Sequence, residues 1–99
     1  MLYNYFVYIT TNENKTTLYI GVTNNIQNRL SQHYFDSQNL KKSFAGKYNC
    51  YYLLFYEGFE DINAAISREK EIKKWRREKK EILIASFNPN GEFLNNQVI

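Results

Sequence analysis

Tyr5-Phe6-Val7-Tyr8-Ile9 and Leu18-Tyr19-Ile20-Gly21-Val22 are two apolar runs separated by the polar stretch Thr10 to Thr17. That spacer carries Asn12, Glu13, Asn14 and Lys15. Asparagines favour turns there, because a short amide bonds the nearby backbone and tolerates left-handed geometry. The two runs therefore read as the arms of a β-hairpin. Side chains alternate across a strand, so Val7 and Ile9 share one face, as do Leu18, Ile20 and Val22. Tyr8, Tyr19 and Gly21 fall on the other face of their strands. Such a hairpin packs a core with one side and presents two phenols with the other.

Downstream, Thr23-Asn24-Asn25 supplies N-cap residues for a helix over about 25–35. Its apolar stripe is Ile26, Leu30 and either His33 or Tyr34, with Arg29 and His33 together at one edge. Residues 36–49, with Lys41, Lys42, Gly46 and Lys47, read as a loop. Tyr51 to Tyr56 reads as a third strand, rich in aromatics. Gly58 punctuates, and Asp61 caps a helix over about 61–74. The apolar stripe of that helix is Ile62, Ala65, Ile66 and Ile72, and Glu69 interrupts it. A carboxylate there is costly to bury alone. Glu69 is either a structural group bridged to Arg29 or a lysine, or a catalytic or metal-binding one. Trp75-Arg76-Arg77 marks a bend before a last helix over about 76–87, carrying Ile82, Leu83 and Phe87. Asn88-Pro89 ends it, since a residue before proline avoids the helical region. The expected class is α+β: a three-stranded, mostly antiparallel sheet flanked by helices in the order β-β-α-β-α-α. Residues 1–90 read as one domain and 91–99 as a C-terminal tail.

With 99 residues, 43% of them hydrophobic, the chain is expected to fold as one domain rather than stay disordered. The one cysteine, Cys50, makes no internal disulfide and fits a reducing compartment. It reads as a buried structural thiol. No basic leader precedes an apolar stretch, and no run approaches the ~18 apolar residues of a membrane span. The expected location is the cytoplasm. The net charge of +3 is modest but concentrated. Arg68, Lys70, Lys73, Lys74, Arg76, Arg77, Lys79 and Lys80 face only Glu69, Glu71 and Glu78 in the same stretch. That cluster is either a phosphate-facing footprint or a solvated helix face laced with pairs such as Glu69–Lys73.

Phe6-Val7-Tyr8, Tyr19-Ile20-Gly21, Arg29 ten positions beyond the second tyrosine, and Glu69 within Ser67-Arg68-Glu69-Lys70-Glu71-Ile72-Lys73 together resemble the GIY-YIG nuclease superfamily. The run through Asn88-Pro89 is similar to its small stand-alone branch, related to the UvrC nuclease domain. The chain departs from the pattern at Phe6, where the family has a glycine. The family's asparagine matches Asn88 best, with Asn90, Asn95 and Asn96 nearby. The resemblance implies a metal-dependent endonuclease acting on DNA phosphodiesters, in repair or recombination, with RNA not excluded. It gives Glu69 the Mg²⁺ or Mn²⁺, Arg29 the scissile phosphate, and Tyr8 or Tyr19 the attacking water. His33 becomes a second acid/base or a helix-edge histidine, and Asn88 a further catalytic residue. Gly21, Lys73, Lys74, Arg76 and Arg77 become nucleic-acid contacts, Gly21 because a bare backbone allows close approach. The alternative is a nucleic-acid-binding module with little or no nuclease activity.

Overall fold

The computed structural model describes residues 3–38 and 48–98. β1 (Tyr5–Thr11) lies between β2 (Leu18–Thr23) and β3 (Tyr52–Phe59), antiparallel to both. The hairpin is the one predicted, with Val7 opposite Val22 and Tyr8 opposite Gly21. Asn12 organises its loop: Oδ1 accepts from the backbone N–H of Thr16 and Thr17 at 2.8 and 3.1 Å. Lys15 is left-handed there, at φ 58°.

The described residues include four helices: α1 (Ile26–Gln38), α2 (Ile62–Lys73), α3 (Arg77–Phe87) and the short α4 (Asn95–Val98). α1 begins where predicted but runs on through Gln38, so residues 36–38 of the predicted loop are helical, and 39–47 lie outside the described residues. Asp61 caps α2 as expected, accepting from the Ala64 N–H at 3.0 Å. Gly58 does not end β3. It pairs with Phe6 inside the strand, where an added Cβ would collide with the Tyr3 ring.

The sheet is covered on both faces. Val7, Ile9 and Ile20 pack with Leu54, Phe55, Ala65, Ile72 and Ile84, which places α2 and α3 on that side. Tyr8 packs with Ile26, Leu30, Leu53 and Leu94, which places α1 and the C-terminal segment on the other. A register shift opposite Ile9 and Thr10 lets Leu53 serve one face while Leu54 and Phe55 both serve the other. The segment read as a tail carries this second core: Leu94 is buried, and its N–H donates to the Leu53 carbonyl at 2.7 Å. Asn95 clasps the same strand, accepting from Leu53 N–H and donating to the Tyr51 carbonyl, each at 2.8 Å.

Candidate active site

Strand alternation sends Tyr8 and Tyr19 to one side of the sheet, under α1, and their ring centroids lie 6.1 Å apart. On α1, Arg29 and His33 are one turn apart and both reach Tyr8. The Arg29 Nε–H donates to the Tyr8 hydroxyl at 3.1 Å, and that hydroxyl lies 3.0 Å from His33 Nε2. The His33 ring also meets Tyr19 edge-on, at 5.1 Å. Tyr8, Tyr19, Arg29 and His33 are therefore one cluster, built from two adjacent strands and a single helix face.

Burial governs its electrostatics. Tyr8 is 1% exposed and His33 3%. Burial pushes the Tyr8 phenol well above its usual range, and the hydrogen bond from Arg29 opposes that shift. Burial, then the Arg29 charge, pulls His33 down to about 4, with Asp36 acting against both. His33 is thus neutral at pH 7, and a neutral Nε2 can accept the Tyr8 proton. Arg29 is held above its ordinary value, first by its hydrogen bond to Tyr8. Asp36, one turn beyond His33, is a buried carboxylate anchored by Gln32 Nε2 at 2.8 Å. Sequence reasoning passed over it as a loop residue; its i,i+3 spacing from His33 is the signal that would have found it. Thr10, also buried, faces Tyr19 in the strand ladder, and its hydroxyl has no hydrogen-bond partner among the described residues.

The structure brings in other predicted residues differently. Gly21 is buried, and an added Cβ would strike the Tyr8 hydroxyl and ring. Its missing side chain makes room for the phenol. Glu69 is on α2, the helix covering the opposite sheet face. Its side chain, 17% exposed, pairs with Lys73 Nζ at 2.7 Å, the lysine partner its position demanded. Among the described residues no ion pair joins it to Arg29. The two layers do meet at the β2 edge, where Arg29 and Ile62 line one groove of about 380 Å³ with Val22, Thr23 and Asn24. Glu69 lies seven residues along α2 from Ile62, about 10 Å of helical rise.

Asn88 is buried at the end of α3, its amide donating to the carbonyls of Leu54 (3.2 Å) and Glu92 (2.7 Å) while Oδ1 accepts from Glu92 N–H. Those bonds tie α3 to β3 and the C-terminal segment. Arg77 is bound into the fold as well: its terminal amino groups donate to the Thr16 and Lys15 carbonyls at 2.9 and 2.6 Å, and Nε to Glu81. Lys74 and Arg76 are exposed at the turn between α2 and α3.

No group of three or more His, Cys, Asp or Glu able to hold a metal occurs among the described residues. A divalent ion at Glu69 would have one protein carboxylate. That fits magnesium, which keeps most of its waters and takes phosphate oxygens, provided Lys73 gives way. No described helix is long and apolar enough to cross a membrane.

The family model described as the GIY-YIG catalytic domain matches residues 4–81, from β1 into α3. A UPF0213 protein of Natronomonas pharaonis is 35% identical over 85 residues, which is 86% of this chain and 95% of the relative. No solved structure matches the chain significantly. A match that takes in both tyrosines, the arginine on α1 and the carboxylate on α2, alongside a relative similar over nearly its whole length, means that the chain belongs to the GIY-YIG nuclease superfamily.

Proposed function

We propose that the protein is a metal-dependent endonuclease that hydrolyses DNA phosphodiester bonds in the cytoplasm, in the service of repair or recombination. One observation carries the reading: the Tyr8 hydroxyl bridges the Arg29 guanidinium and a neutral His33. Hydrolysis needs a water stripped of a proton and a charged phosphate held still. Tyr8 takes a proton from the attacking water as its own proton passes to His33 Nε2, in one concerted relay in which Arg29 stabilises the charge developing on the phenolic oxygen. Tyr19, beside both rings and only partly buried, orients that water. Arg29 carries five N–H donors; with Nε on Tyr8, the outer amino groups grip two phosphate oxygens at the β2-edge groove. A Mg²⁺ or Mn²⁺ ion on Glu69 would neutralise charge developing on the phosphate. Lys74 and Arg76 supply nearby positive charge for the DNA backbone. Asn88 supports this site from a distance, by fixing β3.

The experiment is nicking of labelled duplex, flapped and single-stranded DNA, and of RNA, with Mn²⁺. Arg29→Ala and Glu69→Ala should each abolish cleavage while circular dichroism stays unchanged. Undiminished cleavage in both variants would remove the site assignment.

The Glu69–Lys73 pair favours a second reading, a nucleic-acid-binding module with weak chemistry, because it neutralises the one carboxylate a metal would use. That reading expects salt-sensitive DNA binding that survives Glu69→Ala and no turnover on any of these substrates.

A further inference from the structure

A row of aromatic rings crosses the end of the sheet beside the active-site helix. Tyr34 meets Tyr51 edge-on at 5.0 Å, Tyr51 meets Tyr52 at 4.6 Å, and Tyr52 stacks on Phe93 at 4.4 Å with 21° between the planes. Lys15 Nζ closes the far end, 5.5 Å from the Phe93 centroid. Three separate elements contribute: α1, the start of β3, and the C-terminal segment. The row is not core. Tyr34 is 52% exposed and Phe93 38%, and Tyr51 and Tyr52 are half-buried.

Large rings left this open to water are costly and mark an interaction surface. Three features point to what covers them. The row starts at Tyr34 on α1, the same helix that carries Arg29 and His33. Beside it lies a groove of about 460 Å³ whose lining includes Leu30, Tyr34, Tyr51, Gln27 and Gln38. A lining that mixes aromatic rings with side-chain amides suits a planar base with hydrogen-bonding edges. The charge also matches: the chain is net positive, with Lys15 at the row's end.

We propose that the Tyr34–Tyr51–Tyr52–Phe93 row stacks the unpaired bases of a single-stranded nucleic-acid segment, so that the substrate is one with a single strand adjoining the cleaved bond. This rests on the nuclease reading for its position, but not for its binding. Every base has a π-face, so rings in a row hold single strands with little regard to sequence, while paired bases in a duplex cannot reach them.

The test measures fluorescence anisotropy with EDTA present, so that no cleavage occurs. The probes are a short labelled oligothymidine, a strand of equal length that is abasic throughout, and a blunt duplex. The oligothymidine should bind more tightly than either of the others. Tyr34→Ala and Phe93→Ala should each weaken its binding about five- to a hundredfold and leave the abasic strand and the duplex unaffected, while Tyr34→Phe restores wild-type affinity. Equal binding of the three probes by the wild type overturns the proposal, and a row that serves a protein partner predicts that equality. Oligothymidine affinity unchanged in both alanine variants overturns it too. A base preference without cleavage removes the nuclease reading and keeps the row. Cleavage without a base preference does the reverse.

Discussion

On one face of the sheet, Val7, Ile9 and Ile20 pack against Ala65, Ile72 and Ile84, side chains with no polar atom among them. On the other, Tyr8 sits among Ile26, Leu30 and Leu53 while its hydroxyl holds Arg29 and His33. The same two strands, β1 and β2, build both, with residues one position out of phase. The first face stabilises by removing apolar area from water, and its members are interchangeable within their volume. The second buries polar groups that are costly unless each finds its partner. A fold under pressure only for stability would fill both faces alike. The difference therefore leaves one face of the pleat to packing and gives the other a buried polar cluster.

That division breaks first, and most heavily, on the dry face. Ile84→Ala should lower stability by about 2–5 kcal/mol, read by urea denaturation, because a cavity opens in a tight core. Cleavage per folded molecule should not change; a large loss would mean that the two faces are coupled. Tyr8→Phe is the counterpart, since it keeps the ring and deletes the bridging oxygen. Stability should fall by about 1 kcal/mol, whereas cleavage should fall about a hundredfold or more.

His33 sharpens the contrast through pH. Its folded value of about 4 lies below the ordinary 6.5. Between those values the unfolded chain binds a proton that the folded chain refuses, so stability falls as pH drops from about 6.5 to about 4, then levels off. The loss should be at most about 3 kcal/mol, and His33→Gln should flatten the curve over that window. A wild-type curve already flat there would mean that the buried imidazole does not resist its charge. Gly21→Ala probes the same face sterically. The added methyl meets the Tyr8 phenol, and overpacking of this kind should cost about 1–3 kcal/mol. Cleavage should suffer too, because the displaced group is the bridging hydroxyl.

The hairpin and the strand faces were legible in the sequence because each follows from local spacing, whereas the grouping of Arg29 with Tyr8 and Tyr19 came from the resemblance to the family. Period-two alternation put both tyrosines together, and the i,i+4 step put His33 beside Arg29. The demand of Glu69 for a partner was legible for the same reason, and Lys73, also i,i+4, meets it. What did not show depends on distant contacts. Gly58 looks like punctuation in any single sequence, yet it sits within β3 because Tyr3 fills its empty side. Leu94 follows the exposed Phe93 in a short apolar pair between polar residues, and only its seat against Leu53 makes it core. The register shift opposite Ile9 and Thr10 has no sequence signature.

The basic cluster carries the comparison to the surface, where the effects are smallest. By composition Arg76 and Arg77 are equivalent, adjacent and both exposed. By geometry they are opposites. Arg77 holds the carbonyls of Lys15 and Thr16 and pairs with Glu81, pinning the β1–β2 loop to α3. Arg76 occupies the N-cap of α3 with no capping bond from its side chain. Arg77→Ala should therefore lower stability by about 1 kcal/mol and leave the salt dependence of DNA binding as it was. Arg76→Ala should leave stability within about 0.5 kcal/mol and reduce the slope of log affinity against log salt by about one. If the two variants change the slope equally, the bonds of Arg77 to the loop do not withhold it from phosphate. The basic stretch then acts as undivided charge rather than as separate structural and binding residues.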